Sequence, residues 1–160
     1  MKKLILLIAI TITLSSCFPA YKIQPKADRT YKLADTYTKP VVSVLNSDSL
    51  KREFKILKRS QLYTFTNDST SAIKIKLYHL QKNNWFCGNT MILSTVTLGV
   101  LPSENPYSYT YAFDEIKNGS VVKKEVELNV SQNLWLLNLF SNKKNFKKQA
   151  GIALRAKLGQ

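Results

Sequence analysis

Residues 107–130 read YSYTYAFDEIKNGSVVKKEVELNV, and this stretch decides the fold. Asn118-Gly119 is a two-residue turn signal. A type I′ turn needs φ > 0 at both central positions, which Asn and Gly tolerate. Centring the turn there makes facing residues sum to 237. Tyr107 then faces Val130, Tyr109 faces Leu128, and Tyr111 faces Val126, all on one side of the sheet. The other side sets Thr110 against Glu127 and Asp114 against Lys123. A slip of one residue would oppose the tyrosine row to Glu125, Glu127 and Asn129, so turn chemistry and face pattern agree on one register. The tyrosine side is expected to be core, and Glu125 and Glu127 to face water.

Working outward, AIKIKL (72–77) alternates apolar Ile73, Ile75 and Leu77 with Lys74 and Lys76, as a half-buried strand does. LYTFT (62–66) is β-branched and aromatic, and NDST after it is a turn signal, so the two segments are expected to form a hairpin. VVSVL (41–45) starts a short strand. NSDSLKREFKILKRSQL (46–62) carries Leu50, Phe54 and Leu57 at helical spacing, flanked by Ile56. Ser47 or Asp48 can cap its start, and the stripe ends at polar Gln61. The tail NFKKQAGIALRAKLG has helical composition, with basic residues near its end. Together these predict an α+β fold: a small antiparallel sheet of about four strands packed by one or two helices.

The chain has 160 residues, enough for one domain. Lys and Arg total 24 against 10 Asp and Glu. Such a surplus favours anionic partners, and the compartment decides which. MKK followed by LILLIAITITL (4–14) is a basic n-region and an apolar h-region, too short to span a bilayer comfortably. Ser15 and Ser16 follow, which completes a signal-peptide layout.

LSSC (14–17) at its end resembles the lipobox of bacterial lipoproteins. The resemblance covers residues 1–17. It implies that Cys17 receives a diacylglycerol on its sulfur, that the chain is cut just before it, and that the new amine is acylated. On that reading residues 1–16 are the signal peptide, 17–39 a lipidated N-terminus and proline-punctuated tether, and 40–160 the domain. Cleavage removes Lys2 and Lys3, leaving 22 basic residues against 10 acidic, or +12. Nucleic acid is then not an expected partner. The expected partners are the membrane, through the anchor, and beyond it an anionic lipid or an envelope protein. Phe18 stands where many inner-membrane lipoproteins carry Asp, which points to the outer membrane facing the periplasm. TVTLGVLP, the Tyr-rich hairpin and WLLNLF (94–140) also resemble a loose group of small uncharacterised Gram-negative lipoproteins, which carries no established activity.

Two apolar stretches stay open at the level of sequence. MILSTVTLGVLP (91–102) and LWLLNLF (134–140) are too short to cross a membrane. Either can be core or lipid-contacting, and Trp135 with the following Lys143 and Lys144 suits a membrane interface.

Catalytic signals are sparse. The one histidine, His79, falls on the alternation of Ile73, Ile75 and Leu77 and reads as structural. Cys87 would need His79 as its base, and nothing orients such a pair. There is no HExxH, no GxSxG and no Gly-rich phosphate loop. Glu125 and Glu127 share a face, which reads as solvated. No catalytic residue, cofactor or metal is expected. The expectation is a non-enzymatic structural or interaction module of the envelope, with a binding module for an anionic lipid or glycolipid as the alternative. An apolar concavity rimmed by Lys would favour the alternative.

Overall fold

The computed structural model describes residues 19–68, 70–83, 92, 96–97, 100–141 and 145–159. The chain divides into two units: residues up to Lys22 with 85–106 and 131–146, and residues 23–84 with 107–130 and 147–160.

The larger unit is built on the hairpin. Strands β7 (Ser108–Lys117) and β8 (Ser120–Leu134) flank the Asn118-Gly119 turn. Both turn residues have positive φ, 51° and 78°. The register is the one the turn dictates, with Tyr109 opposite Leu128, Tyr111 opposite Val126, Thr110 opposite Glu127 and Asp114 opposite Lys123. The Val130 amide donates to the Tyr107 carbonyl at 2.9 Å, continuing it. The β4 strand (Ile73–Leu77) lies antiparallel to β7, setting Ile75 opposite Glu115 and Leu77 opposite Phe113.

Beyond β4 the sheet departs from expectation. Strand β2 (Val41–Val44) runs parallel to β4 and, on its other side, parallel to β3 (Thr64–Phe65). Parallel neighbours need a crossover, and helix α2 (Lys51–Ser60) supplies it between β2 and β3. The 62–66 and 72–77 segments therefore do not form a hairpin, because β2 lies between them. Their link, residues 66–72, exceeds a tight hairpin loop. It is closed locally by the Asp68 carboxylate, which accepts from the Thr70 amide at 2.8 Å and its hydroxyl at 2.7 Å. Those bonds hold the Asp68 carboxyl below its ordinary value. The Asn46 side chain extends the sheet like a strand residue, giving and taking a 2.9 Å bond with the backbone of Leu77.

Helix α2 and the C-terminal helix α3 (Phe146–Leu158) supply the rest of the core. The expected stripe of α2 holds: Leu50, Ile56 and Leu57 are buried, and Phe54 packs edge-on to Phe65 at 5.3 Å. The helix ends at Gln61, whose left-handed φ of 61° caps it. Its start has no side-chain cap, so neither Ser47 nor Asp48 serves there. Along α3 the buried face is small: Ala150, Gly151, Ala153 and Ala156, with Leu154. A Cβ on Gly151 would stand 2.6 Å from Arg59 Cβ and 2.9 Å from the Ile56 carbonyl, so the helices meet where only glycine fits. Sheet residues Val42, Ile75, Leu77, Tyr111, Phe113, Leu128 and Val130 complete the core. Tyr111 is fully buried, whereas Tyr107 and Tyr109 are half-buried; α2 reaches the row at Tyr111, whose hydroxyl donates to the Glu53 carbonyl at 2.9 Å.

In the smaller unit, β6 (Ser103–Asn105) pairs with the far end of β8, Ser103 opposite Leu134 and Asn105 opposite Gln132. These positions again sum to 237. One register thus runs along the whole hairpin, interrupted on one arm only around Pro106, which has no amide to give. Strand β1 (Pro19–Ile23) begins two residues after Cys17, and α1 (Ala27–Thr30) follows it. The stretch expected as a tether thus carries a strand and a helical turn, with Ala20 and Ile23 buried.

The expected small antiparallel sheet of about four strands, packed by one or two helices, is overturned. Among the described residues the sheet is mixed and has eight strands in the order β1-β8-β7-β4-β2-β3, with β5 (Gln81–Lys82) on β7 and β6 on β8. Among the described residues three short α-helices accompany it. Two- and three-residue strands carry no period to read, and the parallel pairing depends on a crossover rather than on a local turn.

Candidate functional site

The sheet face opposite the helices holds a cleft of about 270 Å³, lined by Tyr78, His79, Gln81, Thr110, Ala112, Lys123 and Glu125. Its shape comes from a register change. Along β4, facing positions on β7 sum to 190; along β5 they sum to 191, with Gln81 opposite Thr110. One extra residue is therefore accommodated between Leu77 and Gln81, as in a β-bulge. The extra residue ends the alternation of Ile73, Ile75 and Leu77 before His79. The expectation that His79 continues the core side is thereby corrected: it is exposed and lines the polar cleft.

Glu53 supports this irregular segment. The residue is only 6% exposed, and its carboxylate accepts the Leu80 amide at 3.1 Å. This residue was not singled out from sequence. The available signal was an acidic residue one position from Phe54 on the apolar stripe of α2.

Within the cleft, Glu125 pairs with Lys123 at 3.1 Å, both well exposed. Tyr78 donates to Asp114 at 2.6 Å, which raises its phenol above the ordinary value. Glu127 is not part of the cleft; it accepts from the Ser108 hydroxyl. The structure thus brings His79 and Glu125 to one surface and leaves Glu127 outside. Among the described residues no group of three or more His, Cys, Asp and Glu is arranged to hold a metal ion.

A second cleft, about 340 Å³, opens where β2, β3 and α2 converge. Phe54, Phe65, Val44 and Leu45 give it an apolar wall, and Ser47, Asp48 and Asn67 its polar groups. Among the described residues Asp48 is its one charged lining residue. That charge disfavours an anionic ligand.

The smaller unit has a different surface. Ile92, Val96, Val100, Leu101, Leu137 and Phe140 are exposed, Phe140 at 81% and Val96 at 75%. The segment Leu136–Phe140 is a 3-10 turn. The Asn138 side-chain amide fixes it by donating to the Asn133 carbonyl at 2.9 Å. Trp135 donates its indole N–H to the Val100 carbonyl at 3.1 Å, which brings the two apolar segments side by side. The Val100 amide returns to the Thr97 carbonyl at 3.0 Å and the Leu101 amide to the Thr97 hydroxyl at 3.2 Å. Of the two segments left open, Val100, Leu101, Leu137 and Phe140 are thus outside, whereas Leu134 is buried.

Cys17, the expected lipidation site, and Cys87 lie outside the described residues, as do residues 1–16. Among the described residues no helix is long and apolar enough to cross a membrane.

No protein-family model matches the chain, and no curated protein matches it. Among solved structures, the chain is similar to a minor lipoprotein from Acinetobacter baumannii, at 13% identity over 79% of this chain and 88% of that one, with a TM-score of 0.35. A similarity at that level does not establish a common fold.

Proposed function

We propose that this chain is a lipid-anchored bacterial envelope protein. It is held by acylated Cys17, most fittingly at the outer membrane facing the periplasm, and acts as a non-enzymatic structural or interaction module. The observation that carries the reading is the junction at Cys17. A basic n-region, an h-region and LSSC stand in register, and β1 starts at Pro19. A described strand thus follows the expected anchor site at a spacing of two residues. Stable attachment takes two or more acyl chains, and a lipobox cysteine acylated on sulfur and amine provides them.

The alternative, an anionic-lipid or glycolipid binding module, asks for an apolar concavity rimmed by cations. The cleft at β2 and β3 carries Asp48, and in the polar cleft Lys123 is engaged by Glu125. Both arrangements favour the anchored-module reading over it.

Replacing Cys17 tests the anchor. The Cys17→Ser chain is expected to lack acyl mass and to remain uncleaved. Wild-type acyl mass on that variant would contradict the assignment of the lipidation site.

A further inference from the structure

We infer that the smaller unit seats its exposed apolar face in the bilayer surface beside the anchor, so that the protein holds the membrane at two points. The inference rests on the anchored reading for its occupant, and three observations carry it.

The first is a gathering of exposed large apolar side chains. Among the described residues of this unit, the buried ones are mostly polar: Ser103, Asn105, Ser131, Asn133 and Asn138. Val96, Val100, Leu101, Leu137 and Phe140 are exposed, while Leu134 and Ala20 are buried. Scattered exposed apolar residues are ordinary; an apolar group gathered on one unit marks an interaction surface.

The second is that the group is held together. The Trp135 indole joins the Val100 segment to the turn carrying Leu137 and Phe140, and Asn138 ties that turn to β8. A Trp beside apolar residues, with Lys143 and Lys144 next in sequence, has the composition of a membrane–water interface.

The third names the occupant. Cys17 precedes β1 by two residues, a reach of at most about 7 Å. The headgroup layer on each side of a bilayer is about 5–8 Å thick. Residues 19–22 of β1 belong to this same unit, so an acylated Cys17 leaves it no distance from the lipid. The mature surplus of basic residues adds attraction to an anionic surface.

The test uses residues 18–160, which carry every described strand and helix and no acyl chain. The probe is vesicles of phosphatidylcholine with a quarter phosphatidylglycerol, and the readout is co-sedimentation. Wild type is expected to partition onto them. Leu137→Ser with Phe140→Ser is expected to weaken partition about tenfold or more, the loss of two buried apolar side chains. Val121→Ser with Val122→Ser, exposed at the hairpin tip of the other unit, is the control and leaves partition unchanged. Thermal melts check that each variant is folded. If the paired serine variant melts early, Leu137→Ala with Phe140→Ala replaces it. Equal partition of wild type and folded variant overturns the inference. So does a wild-type chain that ignores vesicles but self-associates through Leu137 and Phe140 in sedimentation velocity, since the occupant is then a second copy. Acyl mass on the native protein reports the anchor separately, so failure of one reading is distinguishable from failure of the other.

Discussion

Glu53 shows how a charged side chain becomes part of a core. It stands on the helix face that carries Ile56 and Leu57, yet its carboxylate is engaged by the Leu80 amide and its carbonyl by the Tyr111 hydroxyl. Glu53→Ala strands that amide, and a loss of roughly 1–3 kcal/mol in unfolding free energy is expected from urea melts. Tyr111 adds a pH dependence. Burial, then the nearby Glu53 charge, pushes its phenol above the ordinary value; burial, then Glu115, does the same to Tyr63. Above pH of about 10 the unfolded chain sheds these protons while the folded chain keeps them. The unfolded state then binds fewer protons, so stability falls as pH rises, by up to about 1.4 kcal/mol per pH unit for each such group. Below pH 10 this contribution is fully present. Tyr111→Phe is expected to decline less steeply than wild type in urea melts above pH 10, and parallel declines would contradict the assignment.

At the scale of elements, the hairpin was legible because two independent signals met in one stretch. The Asn118-Gly119 turn fixed the register, and the alternation of tyrosines with polar residues fixed the faces. Replacing Gly119 by Val puts a β-branched residue at a φ of 78° with open space around it, so the cost is backbone strain alone. A loss of about 1–2 kcal/mol is expected, without a change in which residues are buried. Helices α2 and α3 were legible from their apolar spacing and composition. Their contact was not, because the sequence shows Gly151 only as a weak helix former. Gly151→Ala forces a methyl against Arg59 and the Ile56 carbonyl, and a thermal melt is expected to report a loss of roughly 1–3 kcal/mol. A fully stable variant would mean that the helices are further apart. The strands at β2 and β3 were legible, but their parallel pairing and the extra residue before β5 were not. Each depends on a partner distant in sequence, and His79 was placed on the wrong face for that reason.

For the whole molecule, the candidate attachment site divides in the same way. Cys17 is proposed from sequence, because lipidation follows a local motif. The apolar face of the smaller unit could not be, because Leu137 and Phe140 look the same in sequence whether they fill a core or leave one. Their exposure, 52% and 81%, is what assigns them to the surface. The account turns on where the mature chain begins and what it carries there. The most direct measurement is the intact mass, with the N-terminal peptide, of the protein purified from bacterial membranes. The account predicts a chain that starts at Cys17, lacks residues 1–16 and carries diacylglycerol and an amide-linked acyl chain on that residue. A chain that retains Met1, or one that starts elsewhere with Cys17 unmodified or absent, would contradict it.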